Sequence, residues 1–108
     1  MAYDTRPNGE RARQLAEVPA SLVPLGYQRL AVSTVAASGL TPPAGARLAA
    51  LQAESANIRF RDAGGAPTAA SGMRLLSNGS IYDYDSNLSA IQFIAEGAGA
   101  FLNVSYYG

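Results

Sequence analysis

The chain has 108 residues, 48 % of them apolar, with eight Arg against eight Asp plus Glu and a formal net charge of zero. That length suits one domain around a single core, and the balanced charge excludes the basic face that tracks a phosphate backbone, so no nucleic-acid partner is expected. His, Cys, Lys and Trp are absent, which removes disulfides, thiolate metal sites and the His or Lys base that a Ser or Tyr nucleophile requires.

Residues 1–25 read as a leader punctuated by Pro7, Pro19 and Pro24. Its start is polar and charged, unlike a secretory signal, and no apolar run in the chain reaches membrane-spanning length, so no membrane partner is expected. Asn8 can cap a short helix that carries Glu10 in its first turn and ends at Pro19. Leu15 and Val18 give that helix only a narrow apolar stripe, and a short helix of this kind needs a tertiary partner. Ser21–Leu25 then reads as an extended strap with Leu22, Val23 and Leu25 available for docking.

From Tyr27 the apolar period becomes two. Leu30 and Val32 alternate with Arg29, Ala31 and Ser33, and Gly39 with Pro42–Pro43 closes this strand region. Arg47–Glu54 is a second strand candidate whose Ala content also permits helix. Asn57–Asp62 is the clearest alternation, with Ile58 and Phe60 inward and Asn57, Arg59 and Arg61 outward. A turn-rich loop from Ala63 to Gly72 leads to a short strand at Met73–Leu76. Asn78–Gly79 is a type I′ hairpin signal returning the chain through Ile81–Tyr84. Ala90–Glu96 alternates with Ile91 and Phe93 on one face. Gly97 and Gly99 allow a tight reversal into Phe101–Tyr107, where Leu102, Val104 and Tyr106 share a face. Short strands joined by turn signals predict an all-β fold, a small β-sandwich or jelly roll over residues 26–108, with residues 1–25 as an extended N-terminal arm carrying a short helix.

The segments Tyr27-Gln-Arg-Leu-Ala-Val-Ser, Ala53-Glu-Ser-Ala-Asn-Ile-Arg-Phe-Arg and Ala66-Pro-Thr-Ala, with Ile91-Gln-Phe-Ile-Ala-Glu-Gly and Leu102-Asn-Val-Ser-Tyr-Tyr, give residues 26–107 a pattern that resembles small virion structural β-proteins of tailed bacteriophages and prophages. The resemblance implies a role in the virion, assembled in the host cytoplasm, as a capsid decoration (cement) subunit or a tail or fibre component. Its partners would then be the major capsid protein or other virion proteins. It carries over no functional residue, and the leader carries no motif of the family.

The candidate sites are those of an interaction protein. Asp83-Tyr-Asp85-Ser-Asn87 offers the D-x-D-x-N start of a calcium loop, but Leu88 stands where the loop needs Gly and Ile94 where it needs Glu, so it reads as a strand end and turn. Asp83 and Asp85 would share a strand face about 7 Å apart, a spacing open to glycosidase chemistry, without the aromatic cleft such an enzyme needs. No catalytic residue, metal or cofactor is assigned, and the expectation is a non-enzymatic protein. Tyr82, Tyr84, Tyr106 and Tyr107 combine apolar rings with polar tips, suited to a core rim or to stacking on a sugar. Leu15, Val18, Leu22, Val23 and Leu25 of the leader, with Arg59 and Arg61, are the expected partner-binding residues; Arg59 and Arg61 would meet carboxylates such as Asp83 or Asp85 within the domain or across a subunit boundary. A thin Ala-rich core and open strand edges predict a homo-oligomer, a trimer or a dimer. The alternative is a carbohydrate- or receptor-binding module on a tail or fibre.

Overall fold

The structure is a computed structural model, and it describes residues 22–108. The described residues are all-β, with eight strands and no helix: β1 (Pro24–Val32), β2 (Ser38–Gly39), β3 (Leu48–Glu54), β4 (Ile58–Arg61), β5 (Met73–Leu75), β6 (Tyr82–Tyr84), β7 (Gln92–Ala95) and β8 (Ala100–Tyr107). They form two four-stranded antiparallel sheets, β1-β8-β3-β6 and β2-β7-β4-β5. The pairing is nested: β1 with β8, β2 with β7, β3 with β6 and β4 with β5. The short helix expected near Asn8–Val18, and Leu15 and Val18 with it, lies outside the described residues.

Alternation builds both inner faces. On β8, Ala100, Leu102, Val104 and Tyr106 are buried, while Phe101, Asn103, Ser105 and Tyr107 are half-exposed on the outer face. Ala49, Leu51 and Ala53 of β3 point the same way, as do Ile58 and Phe60 of β4 in the other sheet. These residues join Ile91, Phe93 and Ala95 in a single core shared by the two sheets. Rings bridge the layers, with Phe60 5.7 Å from Tyr82 and 6.3 Å from Tyr84 across the gap and 6.2 Å from Phe93 within its own sheet. Ile94 breaks the pattern: it sits on the outer side of β7, yet it is buried opposite Arg59, whose aliphatic stem lies at cross-strand contact spacing.

Two expected connections differ. The strand region from Tyr27 to Gly39 is two strands in different sheets, broken where the Ser33 hydroxyl accepts bonds from the Val35 and Ala36 amides at 3.0 and 3.2 Å and turns the chain. Asn78–Gly79 does not close a hairpin, because β5 pairs with β4 and β6 pairs with β3. A type I′ turn needs positive φ at both central residues, and of this pair only Asn78 has it, at φ 54. The turn formed instead is Leu76–Gly79, closed by the Gly79 amide on the Leu76 carbonyl at 3.1 Å and fixed to β3 by the Asn78 amide on Ala53 at 2.9 Å. Its work is to carry the chain from one sheet to the other.

The loops sort into two ends. At one, the segments after β1, β3, β5 and β7 are tied together by Ala95 to Ser33 and Glu96 to Asn57 backbone bonds, both 2.9 Å, and by the Ser77 amide on Asn57 Oδ1 at 2.8 Å. At the other lie the loops after β2, β4 and β6, together with Val23 and the C-terminal Gly108, which exchange two backbone bonds of 2.8 and 2.9 Å. The arm therefore enters the described domain beside the last residue of the chain.

Phe93 is fully buried at the centre of this core. Phe93→Ala should cost about 3–5 kcal/mol of unfolding free energy in urea titration, the range for deleting a buried ring; a loss below about 1 kcal/mol would mean that the two sheets do not share this core.

Candidate interaction surfaces

The outer face of the β1-β8-β3-β6 sheet carries a connected polar network. The Tyr27 hydroxyl donates to Asn103 Oδ1, and Asn103 Nδ2 donates to Glu54 Oε1 at 3.0 Å. Arg29 Nη2 reaches Glu54 Oε2 at 3.3 Å, and its guanidinium lies 3.7 Å above the Phe101 ring. Register brings these residues together: Arg29, Asn103 and Gln52 lie in one row across β1, β8 and β3, with Phe101 opposite Glu54. The bond from Asn103 and then that from Arg29 hold the Glu54 carboxyl below the usual carboxylate range.

On the outer face of the other sheet, one carboxylate gathers two guanidinium groups. Arg74 grips Glu96 with two bonds of 2.8 and 2.9 Å, and Arg59 Nε lies 2.8 Å from Glu96 Oε2. The Arg59 Nε–H is not aligned on that oxygen and forms no hydrogen bond, so the contact is ionic, while its Nη1 donates to the Gly72 carbonyl at 3.0 Å. The Glu96 carboxyl is held low first by the Arg74 hydrogen bonds, against an opposing cost of burial, with the charges of Arg74 and Arg59 and a bond with Asn57 adding to the effect.

Arg59 therefore does not meet Asp83 or Asp85, as the sequence suggested. Asp83 belongs to the other sheet, and the β4–β7 register places Glu96 within reach of Arg59 instead. Arg61 is exposed on the same face as Arg59 and packs beside Gly65, where an added Cβ would lie 2.8 Å from its Nη1. Of the leader residues within the described range, Leu22 lines a surface groove of about 580 Å³ with Leu48, Ala50, Ile81, Asp83 and Tyr107. Val23 and Leu25 are exposed, at 56 % and 38 %.

The tyrosines divide. Tyr84 and Tyr106 are buried with their hydroxyls bonded, Tyr84 donating to Asp62 Oδ2 at 2.8 Å and accepting the Asn87 amide at 2.9 Å, and Tyr106 donating to Gln28 Oε1 at 2.6 Å. Burial pushes both hydroxyls above their ordinary range; for Tyr84 the Asn87 amide opposes this and Asp62 adds to it. Tyr82 stays exposed beside Phe60. A second groove, about 500 Å³, lies between the loop after β2 and the loop after β6, where Pro42, Pro43 and Arg47 face Asp85, Asn87 and Ser89. Among the described residues, no three acidic side chains come together as a metal site would require, and no helix is long and apolar enough to cross a membrane.

Sequence reasoning missed Tyr27, Glu54, Asn103, Arg74 and Glu96 as a set of surface partners. Alternation marks each as outward-facing, but which side chain meets which depends on register between strands far apart in the chain. In comparisons with known proteins, the chain matches no family, no curated protein and no solved structure.

The lowered carboxyls give a pH dependence of known sign. A carboxyl held low in the fold contributes stability above its unfolded value, about pH 4.3, and loses it as pH falls through the folded value. Carboxyl-carbon NMR titration should place the Glu54 and Glu96 midpoints below that value, and Arg74→Gln should raise the Glu96 midpoint. Midpoints at or above about 4.3 would refute both networks.

Proposed function

We propose that the protein is a non-enzymatic structural component of a tailed-phage virion, a capsid decoration (cement) subunit whose arm and β-domain hold neighbouring shell proteins together. The observation that carries this reading is the nested pairing of first strand with last across two sheets. That order is the jelly roll, an architecture used by viral capsid and lectin domains, and it agrees with the resemblance of residues 26–107 to phage virion proteins. The strap is the leader, up to and including the first residues of β1. Leu15, Val18, Leu22, Val23 and Leu25 are its apolar contacts, and Arg61 adds a forked donor on a second face beside Arg59, whose Nε and Nη1 are taken up by Glu96 and the Gly72 carbonyl. The partners are the major capsid protein or other virion proteins and further copies of this chain, as a trimer or dimer, in a virion assembled in the host cytoplasm. A cement subunit works by mass action, stabilising the assembled state to which it binds.

The strap has a physical basis. Each aliphatic side chain fully buried contributes about 1.5–3 kcal/mol, against about 0–1 kcal/mol for a surface ion pair. Exposed Val23 and Leu25 beside the chain's exit supply part of that apolar surface. The groove between the loops after β2 and β6, with Pro, Arg, Asp and Asn side chains on its walls, favours a second reading, a tail- or fibre-borne module that binds a carbohydrate or receptor.

Removal of residues 1–21, which leaves β1 and its partners intact, should weaken binding to particles at least tenfold in a co-sedimentation titration. Unchanged binding by the truncated chain would overturn the strap. Labelled protein confined to tails, with glycan binding by the purified chain, would replace the cement reading with the second.

A further inference from the structure

Among the described residues, seven of the eight large apolar side chains that stand exposed fall into two groups toward opposite edges of the domain. Val23, Leu25 and Tyr27, 38–65 % exposed, line the start of β1. Met73, Leu76, Ile81 and Tyr82, 43–66 % exposed, line β5 and β6. Within the second group Tyr82 packs on Phe60, whose partner across the β4–β5 ladder is Met73, so these two share one surface, while Ile81 flanks β6 on the outer face of its sheet, in the groove that Leu22 also lines. In the order β1-β8-β3-β6 the two edge strands are three strand spacings apart, about 14 Å, with the groove that runs from Leu22 to Ile81 on the outer face between them.

We infer that copies of this chain associate head to tail, the β1 edge of one against the β5–β6 edge of the next, and close into a ring. A two-fold contact joins a patch to its own copy, so two unlike edges would need two different interfaces, which close only in a dihedral assembly of four or more copies. A heterologous contact covers both edges with one interface and closes when its rotation permits. Strand direction agrees. The sheet alternates at every step, so β6 of one copy lies antiparallel to β1 of the next, and the two edges carry the open backbone groups that such continuation would pair. The area is also sufficient. With on the order of 100 Å² exposed per side chain, each edge offers roughly 350 Å², enough for the apolar centre of an interface of about 800 Å² per partner. This deepens the self-association included in the proposed function, and it holds whether the ring serves a shell or a tail.

The test uses the full-length chain and two variants, Val23→Arg on one edge and Ile81→Arg on the other, both at exposed positions, with circular dichroism confirming that each is folded. Light scattering after size exclusion should find the wild type as a closed oligomer and each variant alone as a monomer, because every contact then contains one blocked edge. An equal mixture should form a one-to-one dimer, joining the intact β1 edge of Ile81→Arg to the intact β6 edge of Val23→Arg, and should stop there. Three results overturn the inference: a wild type that stays monomeric, as it would if its own arm covered the edges; either variant alone retaining a dimer or the wild-type mass; or a mixture that remains monomeric. Particle binding retained by a monomeric wild type would leave the virion role standing while removing the ring.

Discussion

The fold depends on β8. It lies between β1 and β3, pairing with both along nearly its whole length, and its inward side chains Ala100, Leu102, Val104 and Tyr106 are all buried in the centre of the core. Each of its backbone groups has a ladder partner on one side or the other, which a buried strand must have because an unpaired amide or carbonyl there costs as much as a lost hydrogen bond. Pairing the first strand with the last also fixes where the termini go. Val23 and Gly108 close the ladder at one end of the domain, and the preceding segment must start from that point.

From this constraint the two surfaces follow. A central β8 makes β1 and β6 the edges of their sheet, so apolar residues beside those strands stay exposed unless a partner covers them. The outer faces carry polar networks, Arg29, Glu54 and Asn103 on one sheet and Arg59, Arg74 and Glu96 on the other, and the first face also holds the groove lined by Leu22, Leu48, Ala50, Ile81 and Tyr107. Polar networks occupy much of the flat faces, and most of the exposed large apolar side chains sit toward the rims.

Much of the strand content was legible in the sequence because period-two alternation reports directly on one buried face. Ile58 and Phe60, and Leu102, Val104 and Tyr106, are buried on the faces that alternation assigns. What the sequence did not carry is sheet membership. Asn78–Gly79 has the composition of a hairpin turn, yet its flanking strands belong to different layers, a choice made by long-range pairing with β3 and β4. Ser38–Gly39 is too short for any periodic signal and is a strand only because β7 lies beside it. The same limit applies to the surfaces. Leu22, Val23 and Leu25 are recognisable as apolar residues in an unlikely place for a core, while the attachment of Arg59 to Glu96 rather than to Asp83 is a matter of register between strands over thirty residues apart.

The account is tested most directly by amide hydrogen exchange on the full chain, read residue by residue. If β8 closes the domain, the amides of Leu102 to Tyr106 exchange last, at the rate set by global unfolding, and those of β2 and the loop before β3 exchange far earlier. Exchange in β8 as fast as in β2, or slowest protection confined to β4 and β7, would contradict the central place given to the last strand.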